Sequence, residues 1–170
     1  MFCDRGGAVV ESRKRGMMMQ ERYLFRAKRV DNGEWVEGFY FCMTHTDGRH
    51  THHFIIPLGA DLSLGTPVEK IQVEVDPDTI CQCTGLKDKN GKLIWENDIV
   101  KDLFSDTSAP IRYGSYQSCF DSTKVEHVGF YVDWSGKYNK NYRKDLGYWI
   151  HMVDAELIGN MIDNPKLLEE

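Results

Sequence analysis

The 170-residue chain is 41% hydrophobic and 28% charged, with 21 Lys and Arg against 26 Asp and Glu, a net charge of −5. That composition excludes a disordered chain, and the length suffices to bury roughly 70% of the unfolded surface without disulfides or metal. A mildly acidic chain with no run of about 18 apolar residues has neither a membrane-spanning helix nor the bulk positive charge of a general nucleic-acid binder.

The first twenty residues differ from the rest. Arg5, Arg13, Lys14 and Arg15 face Asp4 and Glu11 for a net +2, so residues 21–170 carry −7. They lack the continuous apolar core of a signal peptide. Met17-Met18-Met19 follows Ser12-Arg13-Lys14-Arg15-Gly16, a stretch that purine-rich DNA can encode, as in a ribosome-binding site. The expectation is that translation starts at Met17–Met19, with residues 1–20 a disordered extension or a mis-assigned start. Five cysteines, Cys3, Cys42, Cys81, Cys83 and Cys119, form no framework spacing and read as reduced thiols in a cytoplasm, most simply as small buried hydrophobes.

From residue 21 onward the chain reads as β. Leu24–Ala27 leads into Asp31-Asn32-Gly33, where Asn-Gly predicts a type I′ hairpin turn. Glu34–Phe41 follows as a strand with Trp35 and Phe39 on one face and Val36, Gly38 and Tyr40 on the other. Asp47-Gly48 predicts a second hairpin between Phe39–Thr46 and Arg49–Ile56, and Asn90-Gly91 a third between Cys83–Leu86 and Lys92–Val100. Pro57–Val68 and Ser105–Tyr113 read as loops, 129–134 and 147–153 as strands, and Ser135–Asp145 as a polar, basic connection. Glu156–Ile162 fits a strand or a helical turn, Asn164-Pro165 stops it, and a short helical turn ends the chain. Many short strands with tight turns and no long amphipathic helix predict a mostly β fold, a small barrel or a pair of rolled sheets. Phe25, Trp35, Phe39, Trp95, Phe130 and Trp149 are its expected core aromatics.

One stretch is specific. Residues 84–101 read TGLKDKNGKLIWENDIVK: a hairpin turn at Asn90-Gly91, then Glu96-Asn97-Asp98 breaking the strand before Ile99-Val100 enters the core. This resembles the signature of the YopX family of phage and prophage proteins, a TGLKDKNGK segment followed by an EGD-like turn and I-V. The matching motif residues are Thr84, Gly85, Leu86, Asp88, Asn90, Gly91, Glu96, Asn97 and Asp98. Phe25-Arg26-Ala27 and Gly159-Asn160 with Asn164-Pro165 and Leu167-Leu168 extend the resemblance over about 22–168. Asn97 stands where the family usually has glycine, which implies a left-handed backbone residue there, since Asn is the next best tolerated. The resemblance implies one YopX-like domain over 21–170, with β hairpins to about residue 75 and an SH3-like barrel component over about 76–162. It also implies a phage or prophage origin and a bacterial cytoplasm, and it assigns no activity.

Other constellations carry less. With Asp47-Gly48 as the turn, His45 faces His50 and residue 43 faces His52, so His45, His50 and His52 share one face beside Met43. Three imidazoles there could bind Zn²⁺; a solvated hairpin tip is the plainer reading, because the sequence reveals no carboxylate or carbonyl to orient the rings. Cys81-x-Cys83 lacks zinc-ribbon spacing and a second pair. Glu96 and Asp98 flank a turn, where backbone capping is commoner than acid–base work. Asp88–Gly91 fails the EF-hand register, since position one would be Leu86. Lys137, Tyr138, Lys140, Tyr142, Arg143 and Lys144 interleave basic and aromatic side chains as a single-stranded nucleic-acid contact does, although a solvated loop suits the acidic remainder better.

No nucleotide-binding, hydrolase or metalloprotease motif occurs, so no catalytic residue and no cofactor is nominated. The reading is a non-catalytic module that contacts a host or phage protein, with self-association through strand edges as a variant of it. Nucleic acid is the alternative partner, metal at the hairpin a further one, and no membrane is involved.

Overall fold

The computed structural model describes residues 21–61, 63–102, 107–117, 125–133, 143–147, 150 and 155–169, which leaves the expected N-terminal extension outside the described residues. The chain divides into two compact units, Met1–Gly85 and Leu86–Glu170.

In the first unit β1 (Phe25–Lys28), β2 (Trp35–Thr44), β3 (Thr51–Pro57), β4 (Val73–Glu74) and β5 (Cys81–Lys87) build an antiparallel sheet ordered β4-β3-β2-β1-β5, with β5 running across the boundary. A helical turn, α1 (Val68–Ile71), precedes β4 after the expected loop. Ala27, Ile55 and Val75 form the core, with Phe25, Val36, Tyr40 and Ile80 packed on it. The face of Val36, Gly38 and Tyr40 is therefore the buried one. Phe39, expected in the core, alternates to the opposite face and is 43% exposed. Trp35 shares that outer side, with the Arg26 guanidinium 4.9 Å and the Lys28 ammonium 5.7 Å from its ring.

The second unit holds β6 (Leu93–Trp95), β7 (Asp98–Asp102), β8 (Thr107–Gln117), β9 (Glu126–Asp133), β10 (Arg143–Asp145) and β11 (Glu156–Asn160). Its antiparallel sheet is ordered β10-β9-β8-β7-β11 and is open. Ile94, Val100, Ala109, Ile111, Val132, Leu146, Ile150 and Ala155 make its core. The core is thus aliphatic: among the expected aromatics, Trp95 is buried, Phe25 and Phe130 pack at the edges of the two cores, and Trp149 lies outside the described residues. A 3-10 turn at Pro165–Leu168 ends the chain, as expected.

Two expectations fail here. Residues 107–113 are strand, not loop. β8 pairs with β7 over Thr107–Pro110 and with β9 over Ile111–Gln117, so Pro110 stands where one partner gives way to the other. A missing N–H is tolerated at such a break, and Ala109 and Ile111 alternate into the core around it. Within 147–153, expected as a strand, the described Gly147 and Ile150 are helical, as is Leu146 before them. Leu146 and Ile150 are four apart and both buried, the spacing that puts two residues on one helix face. Glu156–Asn160 resolves as strand, with a register shift between Leu157 and Gly159.

Candidate functional site: the sequence motif and the histidine hairpin

The motif residues act on the backbone. Gly85, Gly91 and Asn97 all have positive φ, at 76°, 79° and 63°, and Asn97 is the one such non-glycine among the described residues. The Asp88 N–H donates to the Lys92 carbonyl and the Gly91 N–H to the Asp88 carbonyl. That is a three-residue hairpin loop, a type I turn followed by a left-handed glycine, instead of the type I′ turn that Asn-Gly suggests. The same holds at Asn32-Gly33, where Gly33 alone takes positive φ and the Arg29 N–H donates to Glu34 across a longer loop.

Asp88 explains the preference. One carboxylate oxygen accepts the N–H groups of Asn90 and Lys92, at 2.9 and 2.8 Å. The other accepts the N–H of Leu157 on β11 at 3.2 Å. Burial pushes this carboxyl up, but the hydrogen bonds from Lys92, Leu157 and Asn90 outweigh it and hold it below its ordinary value. Beside it the Lys89 ammonium lies 2.7 Å from Glu156, which lowers that carboxyl too. Asp98, fully buried, accepts the Trp95 N–H at 2.8 Å and closes the β6–β7 turn.

Asn97 is the joint of that turn. Its N–H donates to Ile111 of β8, its carbonyl accepts from Met161 just after β11, and its side-chain oxygen accepts from Arg112 Nη1 at 2.9 Å. Positive φ costs about 1–2 kcal/mol for an ordinary L-residue. Both Asn97→Ala and Asn97→Gly lose the Arg112 contact, and only the alanine also bears the cost of positive φ, so Asn97→Ala is expected to be less stable than Asn97→Gly by about 1–2 kcal/mol. Chemical denaturation of the pair checks this, and equal losses would refute the backbone argument. Thr84 and Leu86 flank the left-handed Gly85 within β5.

The histidine hairpin takes the expected register. Met43 pairs with His52 and Thr44 with Thr51, and the His45 N–H donates to the His50 carbonyl. The turn is a four-residue loop, Thr46–Arg49, with Gly48 left-handed, not the two-residue turn expected. Four residues and two have the same parity, so the faces are unchanged. The His45 ring centroid lies 6.1 Å from that of His50 and 5.3 Å from that of His52. His52 Nδ1 is 2.7 Å from a Glu74 carboxylate oxygen on β4, a partner that sequence did not reveal. Among the described residues no three metal donors converge on one point.

On the opposite face the Tyr40 hydroxyl is 2.8 Å from His53 Nδ1. Cys81 and Cys83 are buried, and burial raises the Cys83 thiol. Lys137, Tyr138, Lys140 and Tyr142 of the basic stretch lie outside the described residues, as do the side chains of Arg143 and Lys144, whose backbone forms part of β10. Among the described residues no helix is long and apolar enough to cross a membrane.

No curated protein matches the chain. Among solved structures it is similar to the crystal structure of protein EF1440 from Enterococcus faecalis, at 24% identity and a TM-score of 0.47, covering 85% of this chain and 96% of that one. The family model described as YopX protein matches residues 24–169, which takes in every motif position whose geometry is given above. The chain belongs to the YopX family.

Proposed function

We propose that the protein is a phage- or prophage-encoded accessory protein of the bacterial cytoplasm, a non-catalytic module that binds another protein. The supporting observation is the β8–β9 ribbon. Tyr113 pairs with Phe130 and Ser115 with Val128, so Tyr113, Phe130 and Val128 share one face. Tyr113 and Val128 are exposed, and the Tyr113 and Phe130 rings meet edge-on at 5.1 Å. Exposed aromatic and aliphatic side chains on a paired, regular backbone suit recognition of another protein surface. The non-catalytic reading is supported by the motif carboxylates Asp88 and Asp98, which are buried and accept backbone N–H groups. The SH3-like barrel component over about 76–162 belongs to the same proposal, and a β8 that passes from one partner strand to another is in keeping with it.

The test is affinity purification of the tagged full chain from a host carrying the phage, with and without nuclease, read by mass spectrometry. The expected result is a nuclease-resistant protein partner that Tyr113→Asp/Val128→Asp loses. Recovery abolished by nuclease would overturn it in favour of nucleic acid, and 137–144 would become the first segment to mutate.

A further inference from the structure

We propose that the tip of the β2–β3 hairpin is a binding site for a divalent transition-metal ion of the imidazole-preferring class, such as Zn²⁺, with His45, His50 and His52 as ligands and Glu74 as the group that orients His52. The hairpin register sets the first part. His45 and His50 are a hydrogen-bonded cross-strand pair, and His52 is two residues along on the same face, opposite Met43. These positions are fixed by backbone pairing.

The ring spacing sets the second part. A zinc–imidazole nitrogen bond is about 2.0–2.1 Å, and a ring centre lies roughly 1 Å beyond its nitrogen. Two imidazoles on one tetrahedral ion therefore hold their centres about 5 Å apart. His45 and His52 stand at 5.3 Å, and His45 and His50 at 6.1 Å. The donors do not yet converge. Convergence requires the exposed His45 and His50 side chains to rotate onto the ion while His52 keeps its contact with Glu74.

The third part is Glu74. Metal-bound imidazoles characteristically donate their other N–H to a carboxylate or carbonyl, which fixes the tautomer and the ring plane. With Nδ1–H of His52 donating to Glu74 at 2.7 Å, Nε2 is left as the lone-pair donor for the ion. Glu74 reaches the site because β4 adds to β3 with Phe54 facing Glu74. The fourth ligand position falls to water or to the exposed thioether of Met43 on the same face.

The experiment is calorimetric titration of Zn²⁺ into the untagged, chelator-stripped full chain, with Co²⁺ absorption as the report on geometry. One ion per chain and a tetrahedral Co²⁺ spectrum are expected. His45→Ala and His50→Ala should each weaken binding at least 10-fold, and Glu74→Gln, which removes no ligand, by about 10-fold or more. His127→Ala should leave binding unchanged. All four positions are exposed, so unchanged circular dichroism is expected for every variant. No binding at 100 μM Zn²⁺, or binding that the histidine variants leave intact, would overturn the site. Loss in the histidine variants with none in Glu74→Gln would overturn the role of Glu74.

Discussion

Gly38→Ala should be among the most destabilising single-methyl additions in the first unit. A Cβ at Gly38 would stand 1.9 Å from the Ile56 carbonyl oxygen, 2.7 Å from its carbon and 2.9 Å from Ile55 Cγ2. Two of those three atoms are backbone, so no side chain can swing aside, and Ile55 is itself a fully buried core residue. Relief requires β2 and β3 to separate where Gly38 pairs with Pro57 and Phe39 with Ile56. Overpacking a core by a methylene costs about 1–3 kcal/mol when side chains can adjust. Here the backbone must move, so about 3 kcal/mol or more is expected. With a urea slope of about 2 kcal/mol/M, the midpoint should fall by about 1.5 M. Gly129→Ala is the control, because nothing lies within 4 Å of a Cβ there, and it should change stability by no more than about 0.5 kcal/mol. Equal effects in the two variants would show that the close approach at Gly38 is not rigid.

Removal of the Asp88 carboxylate should have an effect of similar size in the second unit. Three backbone N–H groups, from Asn90, Lys92 and Leu157, converge on that side chain. Each donor left without an acceptor away from water costs about 1–3 kcal/mol, and part of that is recovered where water can enter. Asp88→Ala is therefore expected to lose about 3 kcal/mol and to loosen the hairpin from β11.

The same carboxylate imposes a pH dependence. Its folded-state pKa is lowered, burial being outweighed by the three hydrogen bonds. A group of that kind contributes stability that is complete above its unfolded value, about 3.9, and is lost as pH falls through the lower folded value. The stability difference between the native chain and Asp88→Asn should thus be constant from neutral pH to about 5 and shrink below about 4. Denaturation midpoints of both proteins between about pH 7 and 2.5 measure this. A difference that persists at the acid end would show that the hydrogen bonds do not depend on the charge.

The Asp88 carboxylate shows what the family motif is for. Gly85, Gly91 and Asn97 occupy left-handed backbone positions, and Asp88 and Asp98 accept backbone N–H groups at turns. The motif specifies how the chain turns, which is why it is legible in a sequence without announcing an activity. Surfaces that recognise another molecule are sought elsewhere, on the β8–β9 ribbon and at the histidine hairpin.

Much of this was available from residues alone, where the governing physics is local. Asp47-Gly48 sets the parity of its hairpin, which places His45, His50 and His52 on one face whether the loop has two residues or four. Asn97 in place of glycine announced its positive φ, because few other side chains tolerate it. The order of segments from Phe25-Arg26-Ala27 to Leu167-Leu168 revealed the family.

What remained depended on contacts between residues far apart in sequence. Nothing in the local pattern says that Glu74 will reach His52, 22 positions away, since that follows from β4 joining β3. Nor does it say that Asp88 will accept from Leu157, 69 positions on. Ser105–Tyr113 has the turn formers of a loop, yet burial of Ala109 and Ile111 makes most of it strand, with Pro110 at the exchange of partners. Local propensity differs between such states by less than the burial of a few aliphatic side chains supplies, and tertiary packing therefore decides them.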